Sequence, residues 1–192
     1  MSGFEIITIT FSFILGLGVA QVLRSVAFVV REKQDHPLHW IPFSVAAMVL
    51  FFQVQFWFGL VVVDSIMKQW TWPAYSLMLV LAMLIFLSGA TILPPPSLMG
   101  ERSVIEDFET RGRVSLLFLA LYLLGWIGVA MMFWTPAFWH LVAVNGSMAV
   151  VLYLAYASRH SRIRALLHLV LLVMTFYGML TVWTTPNLQN PF

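Results

Sequence analysis

Two groups of polar residues interrupt otherwise apolar stretches of this chain, and their spacing asks what they could do there. Gln21 and Arg24 are three residues apart, so on a helix they share one side. An ionisable side chain inside an apolar run is costly to bury and points to function by default. Arg24 lies about 9 Å inside the nearest basic loop at 1.5 Å per residue. It can snorkel back to that boundary, or pair with Glu106, Asp107 or Glu109 if their segment folds beneath it. The second group is uncharged. Gln53, Asn145 and Thr175 all fall roughly 12–17 Å from the ends of their apolar runs, with Gln55 and Ser147 within a turn of that layer. Amides at such a depth need partners from other helices. They either fix helix packing by hydrogen bonding or line a narrow polar path for an ion, water or a neutral solute. Gly16-x-Gly18 and Gly125-x-x-Gly128 serve close helix approach in either case.

Histidine raises a haem reading, since facing helices can hold iron between paired imidazoles. His39 and His168 fall on the same side, but without the regular spacing along one helix that such sites use. His168 reads better as a boundary residue that caps its helix or meets headgroups, and His140 as a partner for Asp64 or Glu5. No resident cofactor or metal is expected. There is no cysteine, so thiolate ligands, disulfides and c-type haem attachment are excluded.

These residues must be positioned by membrane-spanning helices. The chain is 61% hydrophobic and 9% charged, too few charges to clothe a soluble domain of 192 residues. Six runs, about 4–30, 39–64, 74–96, 114–134, 136–158 and 165–183, are each long enough to cross ~30 Å of hydrocarbon. The first lacks a basic leader and a cleavage site and is longer than a signal segment, so it reads as a permanent span. The expected fold is therefore all-α: one domain over 1–192, a polytopic integral membrane helical bundle of six transmembrane helices.

Charge sets the expected orientation. Arg31, Lys33, Arg102, Arg111, Arg113, Arg159, Arg162 and Arg164 flank one side of these runs, and Lys68 alone the other. By the positive-inside rule both termini lie outside. Outer boundaries carry Trp70-Thr71-Trp72-Pro73, Phe133-Trp134-Thr135-Pro136 and Trp183-Thr184-Thr185-Pro186, an aromatic belt with helix stops. On the basic side, Ser103-Val104-Ile105-Glu106 is a capping box, predicting a short surface helix with Ile105 and Phe108 toward lipid. Arg159, Arg162 and Arg164, with no acid among them, suit anionic lipid headgroups. An inverted three-plus-three repeat has only short matching fragments in its favour.

Gly16-Leu17-Gly18-x-x-Gln21-x-x-Arg24, followed by Trp40 and Gln53-x-Gln55-Phe56-Trp57, resembles a group of small bacterial membrane proteins without assigned function. The resemblance covers about residues 4–60 and implies a bacterial inner-membrane setting. Small six-span bacterial potassium channels place an acid after Phe-Ser in their first span; here the triplet is Phe11-Ser12-Phe13, and the likeness fails.

Enzyme classes find little support. The longest connector, Ser97 to Arg113, is too short for a catalytic domain, and the spans hold no HExxH, paired carboxylates or Ser/His constellation. Proton-coupled transport lacks a mid-span acid. Two expectations remain: a non-enzymatic binding or scaffold module for membrane partners, lipids or a second copy, and a small channel or facilitator. Neither involves nucleic acid.

Overall fold

A computed structural model describes residues 3–31, 39–66, 70–94, 103–133 and 138–184. Its elements are α1 (Gly3–Arg31), α2 (Trp40–Ile66), α3 (Trp72–Thr91), a short α4 (Val104–Asp107) continued by a π-helical turn (Phe108–Gly112), α5 (Val114–Phe133), α6 (Phe138–Ala157) and α7 (Ser161–Thr184). Among the described residues there is no strand. Six of the helices are long and apolar enough to cross a membrane. The expected all-α bundle of six spans is what the chain forms.

The ends of the helices follow from local chemistry. Pro73 occupies the first turn of α3, where its missing N–H costs nothing. That helix stops at Thr91, five residues short of the expected boundary, because the residue before a proline is pushed out of helical conformation and Pro94 begins a proline run. At the other extreme, α7 begins at Ser161, four residues earlier than expected. Arg162 and Arg164 are therefore in its first turns and not in a loop. Of the three Trp/Pro stops, Trp134 to Pro136 and Thr185-Pro186 lie outside the described residues, as do Lys33, Lys68 and Arg102.

Helix α5 is the hub, packing on α3, α6 and α2, while α1 lies on α2 and α3, and α7 on α6 and α2. Half of the α5 span is buried, against about a fifth of α6 and α7, whose outer faces present Val150, Leu166, Val173, Phe176 and Leu180. Apolar side chains facing outward are what a bilayer solvates. The first three spans all touch one another, whereas α7 departs from α5 to pack on α2. This unlike packing gives the inverted repeat no support.

An aromatic cluster joins α2 to α5. Phe52, Phe56, Tyr122 and Trp126 pack edge-to-face or tilted with centroids 5.9–6.4 Å apart, and the buried Tyr122 hydroxyl donates to the Phe52 carbonyl at 3.2 Å. The glycine pairs divide. A Cβ at Gly18 would come within 2.5 Å of the Gln53 amide nitrogen, and one at Gly125 would collide with Leu81. Gly16 and Gly128 have open space where a side chain would go.

Candidate functional site

The polar layer at mid-bundle does not converge. Gln53 is buried between Gly18 of α1 and Gly89 of α3, and neither its amide nitrogen nor its oxygen has a hydrogen-bond partner. Thr175 is buried on α7, but its hydroxyl donates to the Leu171 carbonyl of its own helix at 2.8 Å. Ser147 is exposed and likewise bonds back to Val144 at 2.9 Å. Gln55 and Asn145 are half-buried on separate helices. The expected layer exists as a depth and not as a network.

Elsewhere the charged residues do gather, at the basic end. Helix α6 ends at Ala157 with its last carbonyls turned out, the partial negative pole of the helix. Two guanidiniums close on it. Arg113, at the junction of the π turn and α5, donates through Nη2 to the Tyr156 and Ser158 carbonyls, the latter at 2.7 Å, and lies over the Tyr156 ring at 5.9 Å. Arg164, in the second turn of α7, donates to the same Ser158 carbonyl at 3.2 Å and pairs with Glu109 of the π turn. Burial first, then repulsion from Arg164, pulls the Arg113 guanidinium below its ordinary range, while Glu109 and Tyr156 push it back. Arginine remains charged at any accessible pH regardless.

The surface helix is locked into this cluster. Its capping box is present as expected: Ser103 and Glu106 exchange bonds between side chain and backbone. Phe108, however, points inward and not at lipid. It is buried, with its ring edge against His168 at 6.1 Å. The physical reason is the face it shares: Phe108 lies one turn after the buried Val104, and Gly112, whose missing side chain lets the backbone pass the Ile92 carbonyl of the α3 end, keeps that face close to the bundle.

His168 also departs from expectation. It is fully buried, one turn beyond Arg164, with Nδ1 2.8 Å from the Arg164 carbonyl. A carbonyl only accepts, so Nδ1 carries the proton, and in the neutral ring Nε2 keeps a lone pair with no partner. At the opposite end, Asp64 accepts from the Trp70 indole at 2.9 Å, leaving His140 exposed without the expected bond to that carboxylate.

The inner-side pair is not part of the cluster. Gln21 is half-buried and Arg24 exposed on α1; of the three carboxylates expected as partners of Arg24, Glu106, Asp107 or Glu109, the first caps Ser103 and the last pairs with Arg164. Nor do the three loop arginines act alike: Arg159 and Arg162 are exposed, whereas Arg164 is buried and already paired with Glu109. Arg164, His168, Leu171 and Thr175 form one buried stripe spaced 4, 3 and 4 residues apart. That spacing is the signal for the cluster in the sequence, and it shows only for a helix that begins before residue 165. Among the described residues no three of His, Asp and Glu gather as metal ligands would.

Beside the cluster opens a cleft of about 250 Å³ between the start of α2 (His39, Trp40, Ile41), the surface segment (Ile105, Glu109) and the start of α7 (Ser161, Arg162, Arg164, Ala165). The start of α7 borders this opening with backbone N–H groups that have no intrahelical acceptor, whereas at the start of α2 the Ile41 N–H donates to the His39 ring at 3.4 Å and Pro42 has none. No family model, no curated protein and no solved structure matches this chain.

Proposed function

We propose that this protein is a non-enzymatic integral membrane module that binds lipids or other membrane proteins at its basic end. The observation that carries this reading is the contrast in openness. The charged groups border an accessible cleft at one end, while the mid-bundle hydroxyls satisfy themselves and Gln53 is sealed. Conduction needs polar groups from several helices on one axis, and that arrangement has no support here.

The asymmetry of eight basic residues against one supports an orientation with both termini outside and the cleft facing inward. The resemblance of the first two spans supports a bacterial inner membrane as its setting.

One observation favours a facilitator instead: the unpartnered Gln53 amide at mid-depth. Flux from liposomes separates the two. The binding reading predicts ion and small-solute leakage equal to that of empty liposomes, unchanged by Gln53→Leu. Leakage above that baseline, abolished by the substitution, establishes the facilitator.

A further inference from the structure

We propose that the cleft between the starts of α2 and α7 holds the phosphate of an anionic lipid headgroup; this rests on the binding reading and names its ligand. Four features of the cleft argue for it. Arg162 is exposed at the rim with no carboxylate on it among the described residues. Behind it stands Arg164, held in place by the Ser158 carbonyl and by Glu109. The N-terminus of α7 borders the same space, and helix N-termini favour anions through their dipoles and free N–H groups. Lastly, the polar floor is flanked by apolar walls, Trp40 and Ile105 among them, at the boundary where the membrane-crossing stretches of α2 and α7 begin.

The walls decide the source of the phosphate. A free phosphate would gain nothing from an indole that is 46% exposed beside the opening. A glycerophospholipid covers that ring with its glycerol and first acyl carbons while the phosphate meets Arg162. By volume the cleft has room for about eight waters, ample for a phosphodiester.

Glu109 has a defined part. Its carboxylate lines the cleft and half-neutralises it, while its side chain remains 40% exposed. The arriving phosphate competes with it for Arg164. Removing a cation and removing the competing anion therefore have opposite effects, which a general loss of structure would not produce.

The test is native mass spectrometry of the purified full-length chain in detergent with phosphatidylglycerol, with phosphatidylcholine, and with phosphatidylglycerol in competition with inorganic phosphate. The wild type is expected to retain phosphatidylglycerol over phosphatidylcholine. Arg162→Gln lowers that retention about fivefold, the effect of one surface cation on an anionic lipid. Glu109→Gln raises it severalfold, and millimolar inorganic phosphate does not displace the lipid. Equal retention of the two lipids, unchanged retention in Arg162→Gln, a fall in Glu109→Gln, or displacement by inorganic phosphate each overturns the site. Flux through Gln53 in liposomes would instead overturn the binding reading, whatever the lipid result.

Discussion

Gln53 and Arg164 are both buried polar side chains, about 15 Å apart along the bundle axis by helix rise, and the structure treats them in opposite ways. The Gln53 amide has room only because Gly18 lacks a side chain, and it bonds to nothing. Arg164 is bonded on two sides, to a carboxylate and to a helix-terminal carbonyl, and borders an open cleft. An unsatisfied buried amide costs stability, whereas a paired guanidinium at the boundary joins three chain segments and keeps access to water. Burial of a polar group alone therefore does not locate a working site; its partners and its access do.

The largest expected effect on this contrast comes from the floor of the basic end. Phe108→Ala removes a buried ring from between the surface segment and His168 and should cost about 3 kcal/mol in denaturant unfolding. A cost under about 1 kcal/mol would mean that the surface segment is not docked as described.

Next is Gly112→Ala. The new Cβ would sit 2.8 Å from both the Ile92 carbonyl oxygen and the Phe108 ring, and backbone cannot swing away as a side chain can. The expected loss is about 2 kcal/mol. Gly128→Ala, with nothing within 4 Å, serves as its control and should be neutral or slightly stabilising.

The smallest effect has the opposite sign. Gln53→Leu replaces an unpartnered amide with an apolar group of similar size and should stabilise the protein by about 1 kcal/mol. Destabilisation by this substitution would show that Gln53 is satisfied in the membrane and would remove the contrast.

The spans could be read from the chain because each needs a long apolar run, and hydrophobicity is set residue by residue. The Ser103–Glu106 capping box was equally legible, being a local exchange of bonds within four residues. What lay beyond reach depended on register and on distant partners. Nothing in the capping box announces which face of its short helix is covered, and it is the face shared by Val104 and Phe108. Arg164 reads as a loop cation because no cap marks the start of α7 at Ser161, and its partner is 55 residues away. The glycines show the same limit: Gly16 and Gly18 are indistinguishable as sequence, yet only Gly18 faces a neighbouring helix closely. Gln53, Asn145 and Thr175 share a depth, which sequence can count, but not a common partner, which it cannot.

Cysteine accessibility tests the central claim most directly, because the chain has no cysteine and each introduced thiol is unique. In native membranes, a membrane-impermeant maleimide applied from the side facing the basic end should label Arg162→Cys rapidly. Gln53→Cys should remain unlabelled from both sides until the protein is denatured. Labelling of Gln53→Cys at a rate near that of Arg162→Cys would place water at mid-bundle and contradict the account.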